Sequence, residues 1–257
     1  MSKIYEALQL ARREQTRSPV PPRPIAEVPA VIAAVPVARL TGPSQTLELD
    51  LGREMARLAA VLNSVEAADG RGLVIHVVSV HSGAGASTVA RELARHMSDH
   101  SRRKVLLLDA DPKTTQVSGQ FAAPRGPGIA DRFLDGQVID GGVSAVGNSL
   151  LHVGRLAEDP AVIASAMERN SMAALYEHLR STFAITVIDC PASDRASAMI
   201  SLARHADGVV LLVEAGRTRA QLAARVRDMI TDAGGRVLGV VLNRRRNYIP
   251  ETLYKLI

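Results

Sequence analysis

The chain has 257 residues, 47% of them hydrophobic and 22% charged, with a net charge of +5, which suits one sizeable globular domain with appendages. A single cysteine, Cys190, excludes a disulfide framework and fits a reducing compartment. The N-terminus lacks an apolar signal core, and no apolar run reaches the roughly 18 residues that cross a bilayer.

Trp is absent and aromatics make up only 3%, so the core must be built from Ala, Val, Leu and Ile. The basic excess suits an acidic partner such as nucleotide, anionic lipid or nucleic acid. Most of it reads as a general bias toward Arg.

In chain order, residues 2–15 predict a short amphipathic helix capped by Ser2, with Ile4, Leu8 and Ala11 on one face. Alone it is too short to be stable and needs a partner surface. Residues 16–45 read as a linker, because seven of the 13 prolines lie there. Within it Val31 to Leu40 is apolar but broken by Pro36, a stretch of linker able to dock. From residue 46 to 257 the pattern is that of one domain. A helix is expected over Leu47–Val65, with Leu51, Met55, Leu58, Ala59 and Leu62 on its apolar side. Apolar strands follow at Leu73–Val80, Val105–Asp109, Leu150–Val153, Ile185–Asp189, Gly208–Val213 and Val237–Leu242. Helices are expected at Ser87–Met97, Val162–Thr182, Arg217–Ala233 and Pro250–Leu256. Strands apolar at nearly every position belong to a sheet covered on both faces. Their alternation with helices predicts an α/β fold of three α/β/α layers, its sheet mainly parallel, with right-handed crossovers.

The first of these strands runs into Ser79-Val80-His81-Ser82-Gly83-Ala84-Gly85-Ala86-Ser87-Thr88, and a helix follows. Strand, glycine turn and helix are the context of a phosphate cradle. Glycine lets backbone N–H groups approach an anion, and the helix N-terminus adds partial positive charge. Ser87 is placed to hold Mg²⁺. Taken alone, the ten residues are equally an ordinary strand–helix turn, since Val80 and Ala86 stand where the general phosphate-loop pattern has its first glycine and its lysine.

Two further strands end in carboxylates: Val105 to Asp109 continues as Asp109-Ala110-Asp111, and Ile185 to Asp189 continues as Asp189-Cys190-Pro191. In an open parallel sheet ligands bind outside the carboxyl ends of the strands. One strand-end aspartate is more often a helix cap. Asp109, Asp111 and Asp189 beside a glycine turn point instead to Mg²⁺ and phosphate.

With these motifs the chain resembles the MinD/ParA-like branch of P-loop proteins, and within it the bacterial tyrosine autokinases (BY-kinases) of exopolysaccharide export. The loop is similar to Ser-Ala-x-Pro-Gly-x-Gly-Lys-Ser, with Ala86 at the lysine. Asp109-Ala110-Asp111-Pro112-Lys113 resembles Asp-x-Asp-x-Arg, and Asp189 stands at the Walker B aspartate. Gly128-Ile129-Ala130-Asp131, the Gly136 turn, Gly239 to Arg244 and the opening Met1 to Leu8 also resemble the family. The resemblance implies ATP or ADP with Mg²⁺ as cofactor, with Asp109 and Asp111 as catalytic carboxylates, here vestigial. It implies nucleotide binding by Gly83, Ala84, Gly85, Ala86, Ser87, Thr88, Asn243 and Arg244, and Mg²⁺ on Ser87, Asp109 and Asp189. It also implies a cytoplasmic protein, peripheral at the inner membrane through a Wzz-type polysaccharide co-polymerase. A homo-oligomer is a further family property, and no nucleic-acid partner is expected.

Three departures erode the kinase reading. In such enzymes the lysine meets the β/γ-phosphates, and one charge-assisted hydrogen bond is worth roughly 1.5–3 kcal/mol, or on the order of ten- to a hundredfold in rate. Backbone N–H groups still suffice for binding. In place of a C-terminal tyrosine cluster there are only Tyr248 and Tyr254, the latter more readily a packing residue. Before the first core strand, Glu54 and Arg57 are followed by Ala60 where the family's oligomerisation motif has a second Arg. The expectation is a degenerate autokinase serving as a partner protein. An active tyrosine autokinase or a MinD/ParA-like positioning ATPase is the alternative. His81, the run Arg244-Arg245-Arg246 and Cys190 read as loop, solvated charge and apolar filler respectively.

Overall fold

The computed structural model describes residues 31–36, 44–65, 70–100, 102–111, 126–168 and 171–245. The helices expected over 2–15 and 250–256, with Lys113, Tyr248 and Tyr254, lie outside the described residues. In chain order the strands are β1 (Val31–Pro36), β2 (Leu73–Ser79), β3 (Val105–Asp109), β4 (Val143–Ala145), β5 (Leu151–Arg155), β6 (Ile185–Asp189), β7 (Gly208–Glu214) and β8 (Val237–Arg245). The α-helices are α1 (Ser44–Val65), α2 (Ala86–His100), α3 (Ile129–Leu134), α4 (Pro160–Glu168), α5 (Met172–Thr182), α6 (Ser197–Leu202) and α7 (Ala220–Asp232).

The eight strands form one sheet in the order β1-β8-β7-β2-β6-β3-β5-β4. Every pairing is parallel except the β4–β5 edge. As the apolar runs require, β2, β3, β6 and β7 are buried at every position. Side chains alternate between faces along each strand. Leu73, Ile75 and Val77 of β2 meet Met55, Leu58 and Leu62 of α1 and Val89, Ala90 and Leu93 of α2. Val74 and Val78 face the opposite layer, where α3 to α7 contribute Ile129, Ile163, Leu175, Ile200 and Ile230. Each Val, Leu, Ile or Met side chain so withdrawn from water contributes about 1.5–3 kcal/mol.

Two expectations are modified. The helix predicted over Val162–Thr182 is two helices: the Ser171 N–H reaches the Ala166 carbonyl at 3.0 Å, closing α4 before α5 begins. Part of the segment read as linker, Val31–Pro36, adds a parallel strand to the outer edge of β8. An edge strand offers unpaired backbone groups to an apolar extended segment, and Pro36 lies at its last position, where the missing N–H costs least. Among the described residues, no helix is long and apolar enough to cross a membrane.

Candidate functional site

The site is built at the C-terminal ends of β2, β3 and β6. From β2 the chain turns through residues 80–85 into α2. Gly83 and Gly85 have φ of +79° and +100°, backbone that side-chain-bearing residues rarely adopt. A Cβ at Gly85 would also run into the amide of Asn243. That amide braces the loop: Asn243 Nδ2 donates to the Ala84 carbonyl at 2.7 Å, and Asn243 Oδ1 accepts the Arg244 N–H at 2.8 Å. Ala84 is fully buried, while Ser82, Gly83 and Thr88 are exposed at the rim. Ala86, the first residue of α2, is buried against the α1/α2 side of the core. The first turn of α2 carries no acidic side chain, so its N-terminal N–H groups and dipole are not neutralised from within the helix.

The carboxylates converge as the strand register dictates. Asp109 and Asp189 are direct partners across β3 and β6, and both are buried. Burial, and then repulsion from Asp109 and Asp111, pushes the Asp189 carboxyl up from its ordinary 3.8 to about 7, against the pull of the Ser87 hydroxyl bonded to it and of Arg91. Its Oδ1 is buried with no hydrogen-bond partner among the described residues. Asp111 follows β3, and its N–H donates to Asp109 Oδ1 at 3.1 Å.

One residue at the site carried no motif. Arg195, six positions beyond Asp189, donates Nη1 to Asp111 Oδ1 at 3.1 Å and Nη2 to Asp111 Oδ2 at 3.0 Å. Nη2 also approaches Ser82 Oγ at 3.4 Å. The loop bearing Arg195 is pinned to the end of β2. Ser193 N–H donates to the Ser79 carbonyl at 2.8 Å, and Ser193 Oγ to the Val80 carbonyl at 2.9 Å.

The expected site residues are thus brought together with two qualifications. Arg244 adopts φ +57° and sends Nη1 to Glu214 Oε1 at 3.1 Å, so its guanidinium is engaged with the end of β7. Thr88 is exposed beyond Ser87. Elsewhere, Asp131 accepts the N–H groups of Gly128 at 2.8 Å and Glu158 at 3.0 Å, so it closes the start of α3 onto the segment after β5. Cys190 is buried, and burial holds its thiol well above its ordinary pKa, as suits a filler.

The donor set fits Mg²⁺ with a nucleotide. Asp189 offers an unpartnered buried oxygen beside the Ser87 hydroxyl, and the ligands are all hard oxygen atoms. Among the described residues no three His, Cys, Asp or Glu side chains form a ready-made cage. That suits an ion held by one or two protein oxygens together with phosphate and water. Ser87 and Asp189 would hold the ion, with Asp109 behind them, and the loop N–H groups would hold phosphate. Bound there, Mg²⁺ would neutralise phosphate charge.

The fold is that of P-loop α/β proteins, and comparison with known proteins narrows it. No protein-family model matches the chain. It is 24% identical over 189 residues to the tyrosine-protein kinase CpsD of Streptococcus agalactiae, covering 72% of this chain and 81% of that protein. It is 26% identical over 175 residues to the tyrosine-protein kinase YwqD of Bacillus subtilis, covering 67% and 72%. Among solved structures, the kinase domain of the Escherichia coli tyrosine kinase ETK superposes with a TM-score of 0.71 at 16% identity, covering 86% of this chain and 92% of that one. The septum site-determining protein MinD of Pyrococcus horikoshii, complexed with Mg-ADP, gives 0.56 at 21% identity, covering 72% and 77%. The chain's homologues are bacterial tyrosine-protein kinases, and its fold is that of BY-kinase domains and MinD-like P-loop ATPases.

Proposed function

We propose that the chain is a nucleotide-binding, kinase-like protein weakened in phosphoryl transfer. It acts as the cytoplasmic partner of a membrane chain-length-determinant (Wzz-type) protein in polymerisation and export of a surface exopolysaccharide. The observation that carries this reading is Ala86: a buried methyl opens α2 in a loop otherwise suited to phosphate, where the related pattern has its lysine. Backbone N–H groups and Mg²⁺ support binding, whereas transfer also needs charge offset at the β/γ-phosphates. The homology to tyrosine-protein kinases supports the kinase-like part. Purified protein incubated with Mg-ATP is expected to accumulate no phosphotyrosine, and Ala86→Lys to gain it. A pull-down from detergent-solubilised membranes is expected to recover a Wzz-type protein, and its absence would count against the partnership.

The buried Asp109, Asp111 and Asp189 favour a second reading, an active tyrosine autokinase with a rearranged loop. Phosphotyrosine on the wild-type protein that disappears in Asp109→Asn would establish that reading.

A further inference from the structure

We infer, on the nucleotide reading above, that Arg195 supplies the phosphate-facing positive charge that Ala86 cannot. Asp109, Asp111 and Asp189 are buried at the strand ends where a polyphosphate would bind, so that edge is hostile to an anion unless cations offset it. Mg²⁺ held by Ser87 and Asp189 would offset one part. Arg195 neutralises Asp111 with two parallel hydrogen bonds and, through the same guanidinium, reaches Ser82 at the start of the glycine turn. It therefore spans the ends of β6, β3 and β2, the three strands that form the site.

The guanidinium has five N–H donors, and these contacts account for three of them. Its side chain is 32% exposed, open to an incoming ligand rather than sealed in the core. A planar, permanently charged fork is well matched to phosphate oxygens. A purely structural role for the pair is the weaker account, because its loop is already fastened to β2 by both hydrogen bonds of Ser193, and the guanidinium side of the pair stays partly open to solvent.

Calorimetric titration of the full chain with Mg-ATP, Mg-ADP and AMP tests this, with thermal melts of each variant as the check on folding. Arg195→Ala is expected to weaken Mg-ATP and Mg-ADP by roughly ten- to a hundredfold, the loss of one charge-assisted contact, and AMP by much less. Arg195→Gln keeps most of the stem and serves if the alanine variant does not fold. Because removing Arg195 also uncovers Asp111, the double variant Arg195→Gln/Asp111→Asn is required, and it is expected to remain weak. Recovery of wild-type affinity in that double variant would mean that Arg195 only masks a carboxylate, and would overturn the assignment. Unchanged binding in Arg195→Gln would overturn it while leaving the nucleotide reading intact. A wild-type protein that binds none of the three ligands would overturn both.

Discussion

The two ends of the central strands carry aspartates in opposite circumstances. At the N-terminal end, Asp207 precedes β7 and accepts the Val74 N–H at 2.7 Å and Arg180 Nε at 2.9 Å. Arg180 in turn reaches the His205 carbonyl and Glu177, so the corner is closed by its own cation. At the C-terminal end, Asp189 is more deeply buried, faces Asp109 and Asp111, and keeps one oxygen without a partner among the described residues. Both ends interrupt the same apolar sheet with a carboxylate. A carboxylate matched by an internal cation is part of the architecture, whereas one left short of positive charge is a place for a ligand to supply it.

The largest effect that would break this contrast is expected at Asp189. Asp189→Asn should weaken Mg-nucleotide binding by about a hundredfold or more in calorimetry, since it removes a buried charged oxygen from the ion's donor set. The nucleotide-free variant should behave in the opposite sense. Because the folded state holds the Asp189 carboxyl at about 7 rather than 3.8, the native protein retains a proton that the unfolded chain has lost between those values. The favourable contribution of the protonated form is therefore present at low pH and lost as pH rises toward and through 7. Asp189→Asn is expected to gain stability over wild type, and to gain more at pH 8 than at pH 5 by on the order of 2 kcal/mol in denaturant melts. A gain independent of pH would show that Asp189 is not held protonated.

Next in size is Asp207→Ala, which orphans the Val74 N–H and leaves Nε of Arg180, a side chain only 11% exposed, without its carboxylate. It is expected to cost about 2–3 kcal/mol in stability while leaving Mg-nucleotide affinity within error. Altered affinity would mean that the two ends are coupled.

The smallest effect concerns a buried pair between β2 and α5, His76 Nε2 and the Tyr176 hydroxyl at 2.7 Å. Burial, and then His205, lower the His76 pKa from 6.5 to about 3. The unfolded chain thus binds a proton that the native state refuses, and wild-type stability falls as pH drops from 6.5 toward 3. Tyr176→Phe is expected to cost about 1–2 kcal/mol at pH 7. His76→Leu is expected to flatten the acid limb of the stability curve, measured by urea unfolding from pH 7 to pH 4. An unchanged limb would assign the acid sensitivity to other groups.

Much of this fold was legible before any coordinates. β3 and β6 fall on the apolar runs Val105–Asp109 and Ile185–Asp189, residue for residue, because a strand covered on both faces has an unambiguous composition. Short elements were not. α3, β4 and α6 are three to six residues long, too brief to show a period. The division between α4 and α5 was hidden because an apolar stripe continues across it. β1 was hidden because proline-rich sequence argues against strand until an open edge is there to receive it.

By itself the sequence determined the strand ends, the glycine turn and the carboxylates that meet there, because apolar runs, glycine spacing and strand-end acids are local signals and parallel topology carries them to one edge. Only the tertiary structure decided which distant groups serve that edge. Asn243 braces Ala84 from 159 residues away, and Arg195 meets Asp111 and Ser82 across separations of 84 and 113. A long polar side chain finds such partners through the packing of loops, a three-dimensional outcome with no period or spacing to record it in the chain.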